Sequence, residues 1–148
     1  ELALWADLRV AAVDSTLGVF CRRFGVPLID VGTVRLPKLI GLSRASDLIL
    51  TGRAIGGQEA YEIGLVNRLC QSEKVYTEAL RLAESICCHP SDCMRSDRLS
   101  MLEAYDMTEE AALHNEFKHG LAVIAGGESA TGAKKFVDGE GRSGSSLA

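Results

Sequence analysis

Apolar residues recur every three or four positions along most of the chain, the spacing of helices that bury one face. Gly41, Gly52 and Gly64 stand where three short apolar stripes end, and Pro90 breaks a longer one. The pattern predicts short helices over residues 2–8, 33–40, 43–51, 58–63 and 131–137. It predicts longer helices from residue 75 to the break at Pro90, from Ser91 or Ser96 to Tyr105, and from 109 to 125.

Helix caps and buried faces follow from the same pattern. Thr33, Ser43 and Thr108 stand where predicted helices begin, and their hydroxyls can accept a bond from a free backbone N–H. Gly56–Gly57 and Gly126–Gly127 are interpreted as helix ends. The first helix is expected to be mostly buried. The helix after Thr108 is expected to bury Ala112, Phe117, Leu121 and Ile124.

Short strands are predicted over residues 9–13, 16–20 and 65–69, with a structured loop over 21–32. Two or three such strands do not make a stable sheet alone, so sheet partners are expected outside the sequence. Residue 1 is Glu rather than Met and opens directly into apolar structure, which indicates a piece of a longer protein. Residues 139–148 are polar and glycine-rich and are predicted to form a flexible tail.

Composition excludes several classes of protein. The 148 residues are 47% hydrophobic and 24% charged, which fits one globular domain and not a disordered chain. A net charge of −4 without a long basic run argues against a nucleic-acid partner. No apolar run approaches the roughly 18 residues of a membrane span, so none is predicted. Five cysteines, an odd number with two adjacent, favour a reducing compartment.

Two groups of cysteine and histidine residues are candidates for metal sites. Cys87, Cys88, His89 and Cys93 lie close in sequence, but adjacent cysteines do not easily bind one tetrahedral ion. They are interpreted as small buried apolar residues at a helix end. His114 and His119 lack the spacing of a zinc helix and are interpreted as surface residues. No metal is predicted.

Two acidic residues and one basic cluster are candidates for chemistry. Glu1 precedes an apolar helix whose neighbours would desolvate its carboxylate and raise its pKa toward the range of an acid–base catalyst. Asp30 is an acid within an apolar loop. Spacing alone allows both to be a cap or a turn residue instead. The basic cluster is either a solvated face or an anion site, and comprises Arg22, Arg23, Arg35 and Lys38.

Four motifs resemble those of the crotonase family, the enoyl-CoA hydratases and isomerases. Residues 1–11 (ELALWADLRVA) are similar to its E-L-A-L-x-x-D-x-R-x-A segment, and residues 20–37 to its loop ending in G-G-T-x-R-L. Leu50–Arg53 and Ala60–Val66 then resemble its T-G-x and A-x-x-x-G-L-V segments. The resemblance implies an α/β fold, the crotonase-like ββα superhelix, with residues 1–138 as the C-terminal, mostly helical part of one domain and a few short strands.

The resemblance also implies chemistry on acyl-CoA thioesters. Two backbone N–H groups, both upstream of this sequence, would stabilise an enolate oxygen while carboxylates move protons. Glu1 matches the first catalytic glutamate of the family, whereas Cys21 stands where hydratases carry the second. Arg22 and Arg23 could lower the pKa of that thiol, and Asp30 lies near the catalytic aspartate of some isomerases. The candidate contacts to coenzyme A are Lys134, Lys135 and Arg142.

The implied partners are an enoyl-CoA substrate and further copies of the chain, as a homotrimer or a dimer of trimers. No cofactor is expected, because the coenzyme A thioester is the substrate, and the compartment would be mitochondrial or cytoplasmic. The intact protein would be an enzyme of acyl-CoA and fatty acid metabolism, and these residues alone would be inactive. A non-catalytic binding or oligomerisation module is the rival hypothesis, and a thioester hydrolase or decarboxylase on the same scaffold is a third.

Overall fold

The computed structural model describes residues 1–140, which form short helices and four strands of three residues each. The strands are β1 (Val10–Ala12), β2 (Thr16–Gly18), β3 (Ala54–Gly56) and β4 (Arg68–Cys70). The helices are α1 (Gly32–Ile40), α2 (Leu42–Thr51), α3 (Gly57–Glu62), α4 (Val75–Cys87), α5 (Ser91–Glu103), α6 (Glu109–Gly126) and α7 (Glu128–Val137). Four 3₁₀ helices lie at Leu2–Trp5, Phe20–Phe24, Ser72–Lys74 and Ala104–Asp106. None of the described helices is long and apolar enough to cross a membrane.

The chain divides into two compact units, Glu1–Leu82 and a second that begins at Ala83. The expectation that residues 1–138 belong to one domain therefore stays a prediction. So does the flexible tail over 139–148, of which residues 141–148 lie outside the described part of the chain.

The first unit is built on two small strand pairs and an apolar core. β1 pairs with β4 in parallel, with Ala11 opposite Leu69, and β2 pairs with β3 in antiparallel fashion, with Leu17 opposite Ile55. Helices α1 and α2 pack against each other through the apolar faces that their sequence spacing predicts. The buried core is Leu4, Ala11, Leu36, Ile40, Ala45, Leu48, Ile55, Ala60, Leu65 and Val66.

Glycines set several boundaries in this unit. Gly41 and Gly52, with φ of 82° and 59°, end α1 and α2 as the sequence predicts. The predicted caps Thr33 and Ser43 are wrong, because α1 begins one residue earlier after Val31, and Gly41 both ends α1 and precedes α2.

Two further boundaries of the first unit were predicted wrongly. Gly56–Gly57 does not end a helix: Gly56 closes the unpredicted strand β3, and Gly57 begins α3. The predicted strand over 65–69 begins three residues late, at Arg68, because the N–H groups of Leu65 and Val66 instead donate to the carbonyl of Ala60 and close α3.

Burial of the first helix was also predicted wrongly. Leu2–Trp5 forms a single 3₁₀ turn in which Leu4 is buried, whereas Leu2 is 86% exposed and Trp5 is 55% exposed. A turn of four residues presents one side chain to the core, so the remaining apolar residues face outward.

The second unit contains α5, α6 and α7. Thr108 caps α6 as predicted, accepting a bond from the Ala111 N–H at 3.3 Å, and Gly127 ends the helix with φ of 84°. The predicted burial along α6 is wrong: Ala112 is half-buried, and Phe117, Leu121 and Ile124 are exposed. Within this unit α6 packs on α5 and α7, and among the residues that the structure describes this apolar stripe stays exposed.

Histidine and cysteine residues of the second unit also differ from expectation. His119 is half-buried rather than on the surface, and its ring nitrogens lie 3.3 Å from Ser96 Oγ and 3.0 Å from Glu103 Oε2. Hydrogen bonds from Asn115 and His119 lower the pKa of Glu103. The three cysteines expected to be buried, Cys87, Cys88 and Cys93, are exposed: Cys87 ends α4, Cys88 follows it, and Cys93 lies in the first turn of α5.

The exposed thiol of Cys93 is expected to react slowly with alkylating reagents. Partial desolvation, the Asp97 carboxylate 3.7 Å from Sγ and the charge of Glu128 raise its pKa, so less of the reactive thiolate is present at a given pH. Asp97→Asn should therefore speed alkylation of Cys93 at pH 8 by roughly threefold, measured by mass spectrometry of the labelled peptide. Cys87 in the same sample is the control, and an unchanged Cys93 rate would contradict the assignment.

Candidate active site

A cavity of about 380 Å³ lies within the first unit. Its polar lining residues are Glu1, Arg9 and Cys21, and its other lining residues are apolar or glycine. The apolar walls come from the 3₁₀ turn at residues 2–5, from β2 and from α1 and α2, with Leu28 and Leu65. The cavity therefore combines apolar walls with one carboxylate, one guanidinium and one thiol, the composition typical of small-molecule sites.

Glu1 is held by the backbone at the start of α1. Its Oε1 accepts two hydrogen bonds, from the Asp30 N–H at 3.0 Å and from the Gly32 N–H at 2.9 Å. The partial positive charge at a helix N-terminus favours a carboxylate at this position. The expected burial of Glu1 by its neighbours is wrong, since the residue is exposed and Trp5 turns outward.

Cys21 lies on the 3₁₀ helix Phe20–Phe24 and is half-buried at the cavity wall. Arg22 and Arg23, its expected partners, instead donate from Nε to the carbonyls of Ile49 at 3.1 Å and Gly52 at 2.9 Å. Their guanidinium groups therefore fix the C-terminal end of α2, whose last carbonyls lack helical partners. The structure thus brings Glu1 and Cys21 to one cavity, with both arginines engaged elsewhere.

Arg35 also forms a hydrogen bond with the backbone. Its Nη1 donates to the Leu4 carbonyl at 2.9 Å, and its guanidinium lies 4.5 Å from the centre of the Trp5 ring. Three members of the basic cluster therefore donate to backbone carbonyls of their own unit, a role that neither the solvated face nor the anion site anticipates.

Asp30 is exposed and does not line the cavity, although its backbone N–H reaches Glu1. The apolar loop that contains Asp30 faces outward and leaves Ile29 80% exposed. The family resemblance makes Asp30 a candidate site residue, and the structure brings its main chain rather than its side chain to Glu1.

Arg9 is the site residue that sequence reasoning missed. Its exposed fraction is 8%, and its Nε and Nη1 donate to the carbonyls of Leu65 and Ala6. Its backbone N–H also donates to Asn67 Oδ1 at 2.8 Å. Burial lowers the pKa of Arg9, and the charge of Asp7 opposes that shift. The sequence signal that could have identified Arg9 is a charged residue at the first position of a predicted apolar strand.

A second cavity, of about 510 Å³, lies within the second unit. Lys135 and Phe136 of α7 line it together with Cys88, His89 and Pro90. Glu128 also lines this cavity. Its carboxylate accepts hydrogen bonds from the N–H groups of Asp92 at 3.3 Å and Cys93 at 2.7 Å, two backbone donors of the first turn of α5. Of the other candidate coenzyme A contacts, Lys134 does not line this cavity, and Arg142 lies outside the described residues.

Neither cavity offers a ready set of metal ligands. Across residues 1–140, no group of three or more histidine, cysteine or acidic side chains is arranged to hold an ion.

Comparison with known proteins identifies the family. The model of the enoyl-CoA hydratase/isomerase family matches residues 1–141. The chain belongs to this family. Its fold is shared with an enoyl-CoA hydratase from Bacillus anthracis, with a TM-score of 0.88, 31% identity, and coverage of 93% of this chain and 53% of that one. The α/β crotonase-like fold, mostly helical with a few short strands, is thereby confirmed.

Two curated relatives show how much of such proteins the chain represents. It is 30% identical over 148 residues to the mevalonyl-coenzyme A hydratase SIDH of Beauveria bassiana, covering 93% of this chain and 50% of that protein. It is 42% identical over 90 residues to the mitochondrial enoyl-CoA hydratase domain-containing protein 2 of Mus musculus, covering 58% of this chain and 30% of that protein. The chain thus spans half of the first of these proteins and less than a third of the second.

Proposed function

We propose that the protein carrying this chain acts in acyl-CoA metabolism, moving protons on an enoyl-CoA thioester. The observation that carries the proposal is the Glu1 carboxylate, fixed through one oxygen at the edge of an apolar cavity. A carboxylate held in this way keeps its other oxygen for proton exchange, which is the requirement for general acid–base catalysis. Family membership supports the substrate class.

The proposed mechanism gives Glu1 the proton-transfer step. Glu1 removes a proton from a carbon of the acyl chain, and the electron pair moves into the thioester carbonyl to form an enolate. Two backbone N–H groups, contributed by residues outside the 148 of this sequence, stabilise the enolate oxygen. Returning the proton to a different carbon shifts the double bond, so one carboxylate suffices for isomerisation.

Hydration would need a second group that accepts a proton from the attacking water. Cys21 is the residue proposed for that position, since it lines the same cavity as Glu1. A thiol donates and accepts protons poorly near neutral pH. The geometry therefore supports isomerisation better than hydration, and Asp30 is not proposed as the direct substitute because its side chain does not line the cavity.

The coenzyme A thioester is proposed as substrate, with no additional cofactor. The apolar cavity walls suit an acyl chain. Lys135 is the proposed contact to a phosphate of coenzyme A, because its side chain borders the second cavity. Lys134 and Arg142 remain predictions for the same role.

Assembly is proposed to use α6. Leu113, Phe117, Leu121 and Ile124 recur at helical spacing and are between 48% and 65% exposed, which is a large apolar stripe for a free surface. A homotrimer or dimer of trimers would cover it. The mouse relative is named as mitochondrial, and a mitochondrial or cytoplasmic location is proposed for this protein.

Two substrates separate the possible activities of the full-length protein that carries the chain. A 3-enoyl-CoA should gain the absorbance of a conjugated thioester if the protein is an isomerase. A 2-enoyl-CoA should lose that absorbance if hydration dominates, which would overturn the preference for isomerisation while keeping proton transfer. Absence of turnover with both substrates, together with binding of acyl-CoA in calorimetry, would replace the proposal by the non-catalytic binding module.

A further inference from the structure

The turn before α1 contains a strained residue. Val31 has φ of 70° and ψ of 6°, and within residues 1–140 it is the one non-glycine residue with positive φ. A β-branched side chain in this left-handed region clashes with its own backbone, so the conformation persists only where surrounding contacts impose it. Such strain often accompanies a functional constraint.

The strained conformation directs two backbone donors to one point. The N–H groups on either side of Val31, from Asp30 and Gly32, both donate to Oε1 of Glu1, at 3.0 Å and 2.9 Å. A left-handed residue flanked by converging N–H groups forms a concave anion site of this kind. The Val31 carbonyl accepts from the N–H groups of Val34 at 3.1 Å and Arg35 at 2.8 Å, which anchors the turn to α1.

Gly32 contributes by its lack of a side chain. A Cβ at this position would lie 2.7 Å from Oε1 of Glu1 and 3.0 Å from its Cγ. These separations are shorter than van der Waals contact, so any larger residue would displace the Glu1 side chain. Gly32 is also buried, which leaves the turn little room to retreat.

We propose that the turn Asp30–Val31–Gly32 is a positioning element for Glu1 in catalysis. Its two N–H groups fix Oε1, so that Oε2 is presented to the substrate in one orientation. Val31 and Gly32 act through Glu1, and Val31 does not line the cavity, whereas Gly32 borders it without a side chain. The inference rests on the proposed role of Glu1 in proton transfer.

Gly32→Ala in the full-length protein tests the proposal. Loss of the fixed orientation should lower kcat by roughly 10- to 100-fold with KM changed less than threefold, since misplacement affects the reacting group more than binding. The matched control is Gly56→Ala, because Gly56 has ordinary φ and nothing within 4 Å of its added Cβ. Circular dichroism and thermal unfolding verify that both variants are folded. Equal kcat in the two variants would overturn the proposal.

A double-mutant cycle separates positioning from general damage to the fold. If Gly32 acts through Glu1, Gly32→Ala should lower kcat no further in a Glu1→Gln background. A full additional loss in that background would assign Gly32 a structural role and reject the proposal. Val31→Pro, which locks φ near −65° and prevents the left-handed turn, provides a second variant with the same expected pattern. The proposed function fails separately, if Glu1→Gln alone leaves turnover unchanged.

Discussion

Glu1→Gln is expected to lower kcat for enoyl-CoA turnover by roughly 100- to 10,000-fold, the range that one general acid–base residue contributes. Glutamine is nearly isosteric, and its amide oxygen can accept the same bonds from Asp30 and Gly32 that Oε1 accepts now. The variant therefore keeps the geometry but loses the carboxylate that is proposed to exchange a proton. KM is expected to change little, because the apolar walls of the cavity remain.

Steady-state kinetics on the full-length protein, with the 3-enoyl and 2-enoyl thioesters, measures this effect. Glu62→Gln is the matched control, since Glu62 is an exposed carboxylate of the same unit that bonds Gln58 and does not line the cavity. That variant should retain the parent's turnover. Turnover of the Glu1 variant within threefold of this control would remove Glu1 from the mechanism.

Local signals predicted the ends of elements best. Gly41 and Gly52 end helices because glycine adopts positive φ more readily than other residues do. Thr108 caps α6 because its hydroxyl oxygen accepts a bond from a free backbone N–H. These preferences act within one turn of helix, so they can be inferred from neighbouring residues. The family motifs likewise located Glu1 and Cys21, which the structure brings to one cavity.

Burial was predicted less well, because it depends on what covers a face rather than on the face itself. The stripe containing Phe117 and Leu121 has the spacing of a buried helix face, yet both side chains are exposed among the described residues of its unit. Cys87 and Cys88 are apolar enough for a core but lie at an exposed turn. Periodicity identifies which residues share a face, and only the packing partners determine whether that face is buried.

The hydrogen bonds that orient Glu1 likewise could not be predicted from the sequence pattern. A valine gives no indication that its φ is positive, since the conformation is imposed by contacts on both sides of the turn. The two N–H bonds to Glu1 join positions about thirty residues apart, which spacing rules do not reach. The sequence could therefore identify Glu1 as a candidate acid, but not how the main chain orients it.

Arg9→Met is expected to destabilise the first unit by about 2–4 kcal/mol. Arg9 is 8% exposed, and its guanidinium bonds the carbonyls of Leu65 and Ala6, so methionine would leave both carbonyls without these charged donors. Each such bond contributes roughly 1.5–3 kcal/mol. Relief from burying the charge, whose cost is visible in the lowered pKa of Arg9, offsets part of this loss. Methionine fills similar volume, which limits any cavity effect.

Urea unfolding of the full-length protein, followed by circular dichroism, measures the change as a shift in midpoint at constant slope. Arg68→Met is the matched control, because Arg68 is exposed on the paired strand β4 and its Nη1 donates to the carbonyl of the adjacent residue, Asn67. Its expected change is within about 0.5 kcal/mol. Equal midpoints for the two variants would mean that the desolvation cost of the buried guanidinium cancels its hydrogen bonds. In that case Arg9 would line the cavity without adding net stability to the fold.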